Sequence, residues 1–241
     1  MKVFIGFLVC IVLYSFQLMQ NKTVSDSKND VQSTSKKLSM EGDKKVTAEV
    51  NVNQALRDEY QDYLTVIEEK LSIPDEFDLK SVTNDLEQNG KGILLVRYVP
   101  EKINNDLFGE HFSVTIEKET KHILGFTHMD QKYILSDDQK LLSKEETKRI
   151  AKKFLDQFDP GYFETLENLW IDQHDETIIL EGHEVTVSGM KYKCYRPSTS
   201  DYSWLIVGSN GEVITFERGI VWEAGRVTEK WLHDSYIKEK L

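Results

Sequence analysis

The chain has no cysteine framework. Of its 241 residues only two are cysteine: Cys10 inside an apolar N-terminal run, and Cys194 far downstream. Two such distant thiols build no disulfide scaffold, and without a Cys-x-x-Cys pair they build no cysteine zinc site. Cys194 reads as a small packed residue of a strand. Positive charge is also short, with 30 Lys and Arg against 41 Asp and Glu, for a net charge of -11. Phosphate backbones need clustered cations, so the composition argues against nucleic acid as a partner. The short catalytic signatures are missing as well. There is no G-x-S-x-G elbow, no H-E-x-x-H, no G-x-G-x-x-G and no P-loop, so the usual sequence evidence for hydrolytic or nucleotide chemistry is lacking. No cofactor and no metal are expected.

What is present begins with an address. After Met1 and Lys2, the run Val3 to Met19 carries no charge. Seventeen helical residues span about 26 Å, enough for a thin hydrocarbon core. No A-x-A pattern follows, so residues 1–20 read as an uncleaved membrane anchor, with a cleaved signal peptide as the alternative. In both cases the remainder is expected outside the cytoplasm, membrane-attached or secreted. Residues 21–51 are rich in Ser, Thr, Asn, Asp and Lys without an apolar face, the composition of a disordered tether.

Two helices are legible beyond it. Ala55, Leu56, Tyr60, Tyr63, Leu64, Ile67 and Leu71 recur at three- and four-residue steps, with Asn53 placed as N-cap. The second opens on a capping box, Ser143 with Glu146. It carries Ile150, Ala151, Phe154, Leu155 and Phe158 as its stripe and stops at Asp159-Pro160-Gly161. Strand patterns follow each helix. G-I-L-L-V-R-Y-V-P, H-F-S-V-T-I-E, H-I-L-G-F-T-H and a short run at Tyr133 to Leu135 follow the first. L-E-N-L-W-I-D-Q, T-I-I-L-E-G-H-E-V-T-V, K-Y-K-C-Y-R-P, S-W-L-I-V and E-V-I-T-F-E follow the second.

Phe112 to Phe126 aligns with Tyr202 to Phe216 without a gap, at an offset of ninety, and the two helices keep nearly the same offset. The spacing predicts an α+β protein of two tandem helix-plus-antiparallel-sheet units behind the anchor, over residues 52–136 and 137–241. The helix S-K-E-E-T-K-R-I-A-K-K-F-L and the hairpin I-E-K-E-T-K-H-I-L, Ile116 to Leu124, resemble PepSY-type domains. In the first hairpin Glu117 stands for that family's Asp and Lys121 for its Gly; the second keeps the glycine as Gly211. The resemblance implies two degenerate copies in an exported Gram-positive envelope protein, a non-catalytic role and a restrained peptidase as partner.

Two regions hold candidate chemistry. His174, Asp175 and His183 gather imidazole and carboxylate in a short stretch, the alternative being a metal-dependent hydrolase; a polar strand end is the plainer reading. The second region concentrates aromatics with basic groups. Trp204, Trp222, Arg226, Trp231 and His233 are the candidate binding residues, since recognition surfaces favour Trp and Arg. The plainer alternative makes the last segment a closing helix, with Thr228 as cap and Trp231 and Leu232 inward. The expected function is a non-enzymatic, membrane-anchored binding protein, with a purely structural cell-surface spacer as a further alternative.

Overall fold

Two amphipathic helices decide which face of the sheet becomes the core. A computed structural model describes residues 53–100, 107–223, 226–227 and 229–241. The anchor and tether expected over 1–20 and 21–51 lie outside these residues. Among the described residues no helix is long and apolar enough to cross a membrane.

Helix α1 covers residues 53–70, so Asn53 is its first helical residue. It buries Leu64 and Ile67, with Leu71 just beyond its end, and Leu56, Tyr60, Tyr63 and Val66 pack alongside. Ala55 is exposed. Helix α2, Lys144–Phe158, starts where the Ser143 hydroxyl accepts the Glu146 N–H at 3.2 Å. It buries Thr147, Ala151, Leu155 and Phe158. Both apolar stripes rest on one sheet face in a single cluster that includes Leu94, Val114, Phe126, Tyr192 and Phe216. Each fully buried Leu or Phe there contributes about 1.5–3 kcal/mol by removal from water.

The strands are β1 Phe77–Gln88, β2 Lys91–Pro100, β3 His111–Glu117, β4 Ile123–Met129, β5 Glu167–Leu180, β6 His183–Arg196, β7 Asp201–Gly208 and β8 Val213–Ile220. They form one antiparallel sheet in the order β1-β2-β3-β4-β8-β7-β6-β5. A two-residue ribbon, β9 Trp222–Glu223 with β10 Arg226–Val227, and helix α3, Asp234–Lys240, complete the chain. The expected short strand at Tyr133 to Leu135 is a 3-10 turn, Gln131–Tyr133, followed by a single bridge from Ile134 to Val187.

This architecture corrects the expectation of two separate helix-plus-sheet units. Strand β4 pairs with β8 through Gly125↔Glu217, Phe126↔Phe216 and Thr127↔Thr215, making the sheet continuous. The sequence offset of ninety meets itself here, because Phe126 and Phe216 are corresponding positions paired across the seam. Phe154 lies 5.8 Å from one ring and 5.9 Å from the other. On the opposite face the Thr127 and Thr215 hydroxyls are hydrogen-bonded at 2.8 Å. Two apolar edges that would otherwise meet water are thus joined in one core, and Ala48–Leu241 forms one compact unit.

Two turns explain the strand boundaries. Asn89 and Gly90 have φ of 51° and 73°, and Glu181 and Gly182 have 50° and 82°. Positive φ at both central residues is the tight hairpin geometry that matches strand twist. The run T-I-I-L-E-G-H-E-V-T-V is therefore a hairpin tip rather than one strand, and β5 and β6 reach 14 residues each.

Candidate functional site

The face of the sheet away from α1 and α2 carries buried charge between smaller apolar clusters. In β2 the alternation that sends Val96 and Tyr98 to the helices sends Arg97 the other way. There Asp234, at the start of α3, grips its guanidinium in two parallel hydrogen bonds of 2.7 and 2.9 Å. Ser113 Oγ accepts a third bond, and the Phe108 N–H donates to Asp234. Burial pushes the Asp234 carboxyl up, but His111, Arg97 and the Phe108 N–H outweigh it and hold it below the usual range.

This pair pins the C-terminal segment across the sheet. Leu232 and Ile237 pack on Leu86, Ile93 and Leu95. Gly125 makes room for that segment, since a Cβ there would lie 2.6 Å from the Phe216 carbonyl and 3.0 Å from Leu232. The Trp231 indole donates to the Glu87 carbonyl at 2.8 Å.

Beside the segment, the β5–β6 hairpin folds back over the same face, with the Ile179 N–H bonded to the Phe108 carbonyl at 2.7 Å. Gly189 permits the approach, because a Cβ there would meet Ile206 at 2.6 Å. An open pocket of about 400 Å³ is enclosed between hairpin, sheet and C-terminal segment. Its charged groups form a connected set. Glu217 accepts the Trp204 indole N–H at 2.8 Å and lies 3.6 Å from His233 Nε2. Glu176 lies 2.8 Å from His174 Nε2 and 3.9 Å from His233 Nδ1. The Lys191 ammonium sits 4.2 Å above the Trp204 ring.

Burial lowers the basicity of Lys191, with Glu217 and Glu176 opposing it. Burial also pushes His233 down, but the same two carboxylates outweigh it and raise its pKa above the ordinary histidine value. His111 behaves oppositely. Burial and Arg97 lower it to about 4, so it is neutral at pH 7. Its Nδ1 faces the Gly109 carbonyl at 2.9 Å and carries the proton, leaving Nε2 as a buried acceptor without a hydrogen-bond partner.

The structure divides the sequence-derived candidates. Trp204 and His233 meet through Glu217 in the pocket. Trp222 is exposed on β9, with its ring 6.2 Å from Tyr202 and 4.8 Å from the Lys193 ammonium. Arg226 lies on β10 opposite Glu223. Trp231 is half-buried at the other end of the sheet against Tyr236. The closing helix begins at Asp234, after Trp231 and Leu232, and turns Asp234 and Ile237 inward.

His174 and Asp175 line the pocket, but His183 is exposed at the hairpin tip. His174 is six strand positions from Leu180, which pairs with His183, a separation of about 20 Å. Among the described residues no group of three His, Cys, Asp or Glu is placed to hold a metal. Cys194 is fully buried on the helix face, and burial pushes its thiol up to about 11.

Sequence reasoning missed Arg97, His111, Glu176, Lys191, Glu217 and Asp234. The available signal was a charged residue inside an apolar strand, as in L-L-V-R-Y-V. A second open cavity, of about 1040 Å³, lies on the helix side over Phe112, Phe126, Phe154 and Phe158. Compared with known proteins, the chain matches no family model, no curated protein and no solved structure.

Proposed function

We propose that the chain is a non-enzymatic protein, held outside the cytoplasm by its N-terminal segment, that binds an extended segment of another protein along β5. The observation that carries this reading is the contrast between the two sheet edges. Edge strand β1 is interrupted by two register shifts, and Asp85 within it has a φ of 65°. Bulges of this kind blunt an edge against strand addition.

Edge strand β5 runs in unbroken register from Trp170 to Leu180. Among the described residues, one backbone bond outside the β5–β6 ladder is recorded for it, from Ile179 to Phe108. Of the five exposed large hydrophobic side chains among the described residues, Leu169, Trp170 and Ile179 are on β5. Trp222 stands close by, with Lys193 within 5.5 Å of both indole rings. Unpaired strand backbone gives affinity to an added strand, and aromatic side chains beside it give anchoring area.

Acidic residues on β5, among them Glu167, Asp172 and Asp175, disfavour pairing with a second copy. They favour a partner segment that carries positive charge. A peptidase is the first partner to test, on the PepSY resemblance of α2 and the β3–β4 hairpin.

Photo-crosslinking amino acids placed singly at positions 170 to 177 of the full chain, in cells, test the reading. A discrete adduct with a two-residue periodicity along β5, and none from β1, is expected of an added strand. Adducts of equal strength from both edges, or from β1 alone, would refute it.

A further inference from the structure

The pocket lies beside the edge on which the partner segment is placed. Residues 174 to 179 all line it. A strand shows consecutive residues to one cavity only when it turns its edge, rather than a single face, toward it. Any segment that adds to β5 therefore passes the mouth of this pocket.

The chemistry inside selects what could enter. Asp175, Glu176, Glu184, Glu217 and Asp234 line the pocket against the Lys191 ammonium and the His233 imidazole, which lies 3.9 Å from Glu176 and 3.6 Å from Glu217. Asp234 is committed to Arg97, which leaves Glu176 and Glu217 as the inner carboxylates. Lys191 already shows how the site holds a cation, with its ammonium over the Trp204 ring and both carboxylates favouring its charged form. An aromatic face with flanking carboxylates is the general seat of an organic cation. Met129, Ile178, Ile206 and Leu232 supply apolar wall for a methylene chain.

We propose that this pocket receives the side chain of a lysine or arginine from the segment bound along β5, in competition with Lys191. The inference rests on the β5 reading above and names the specificity of that site. The volume of about 400 Å³ suits one long side chain. Lys191 acts as an internal occupant, so an incoming cation must displace it from Trp204.

The test separates this pocket from the docking edge. The full-length protein is titrated with Nα-acetyl-lysine amide, Nα-acetyl-arginine amide and Nα-acetyl-norleucine amide, by calorimetry and tryptophan fluorescence. Saturable binding of the two basic compounds, but not of the norleucine compound, is expected. Glu217→Gln should weaken it by about tenfold, the scale of one partly buried charge contact. Lys191→Met, which keeps the chain's bulk and removes its charge, should tighten it by a similar factor. That gain decides the matter even where Glu217→Gln fails to fold. Equal binding of the norleucine compound, or unchanged or weaker affinity in Lys191→Met, would overturn the proposal. Adducts along β5 without probe binding would remove the pocket's role alone; probe binding without adducts would remove the β5 docking alone.

Discussion

The two faces of the sheet are built on the same strands, yet they solve burial in opposite ways. The helix face is sealed by aromatic and aliphatic packing, centred on Phe126, Phe154, Phe158 and Phe216. The opposite face is sealed by a short C-terminal segment that brings too little apolar surface to do so alone, and buried ionic contacts complete the closure. An apolar core loses stability with each buried group removed, whatever its neighbours do. A charged interior binds strongly only when every partner is in place. The difference teaches where ionisable groups are kept: the helix face is closed chiefly by apolar packing, and the opposite face buries the paired Arg97, Asp234 and Glu217.

The sharpest way to break this comparison is Phe216→Ala. Phe216 is fully buried beside Phe158, Phe154 and Tyr162, and its truncation is expected to cost about 3–5 kcal/mol in chemical denaturation. On the other face, Asp234→Ala strands the Arg97 guanidinium in the interior and is expected to cost about 3 kcal/mol. There the loss should be reversible by a second change. Arg97→Met combined with Asp234→Leu should recover most of it, whereas no change on the charged face should rescue Phe216→Ala. Failure of the double variant to recover would erase the distinction.

Acid gives a smaller and more specific effect. Unfolded His111 takes up a proton near its ordinary pKa of 6.5, while the folded residue stays neutral until about 4. Stability from this group is present above pH 6.5 and is lost as pH falls through that window, by about 3 kcal/mol. Denaturation midpoints of wild type and His111→Gln, compared between pH 7 and 4, should show a flatter acid limb in the variant. His233 has the reverse sign. Its raised pKa gives stability that is full below 6.5 and declines as pH rises through the folded value. The smallest effect belongs to the edge. Trp170→Ala should change stability by no more than about 1 kcal/mol, because 43% of the residue stays exposed, while removing the crosslinks expected from β5.

Both helices were legible in the sequence because their stripes had period and punctuation, and seven strands or parts of them were legible from alternation. Strand β1 was not. Its bulges at Leu79/Ser81 and Thr83/Leu86 shift the phase, so F-D-L-K-S-V-T-N-D-L-E-Q never alternates for long. The Glu181-Gly182 tip was hidden because a glutamate holds the left-handed position that asparagine holds at Asn89. The union of the two halves was invisible for another reason, since no local pattern says which edge a strand pairs with. Trp204 and His233 could be singled out by type. Their partners Glu176, Glu217 and Lys191 could not, because carboxylates and lysines are abundant in this chain and only the folded hairpin selects three of them.

The β4–β8 seam has a consequence for assembly. A strand that meets its own counterpart antiparallel at Phe126 and Phe216 has the geometry of a symmetric dimer contact, in which the same patch serves both partners. Here the two partners are joined covalently, so the contact does not depend on protein concentration, and each copy of the patch is free to diverge. At the offset of ninety Gly125 corresponds to Thr215 and Thr127 to Glu217, so corresponding positions already differ on the two sides of the seam. The half whose edge strand is broken by register shifts and the half whose edge strand exposes Leu169 and Trp170 are held at fixed one-to-one stoichiometry.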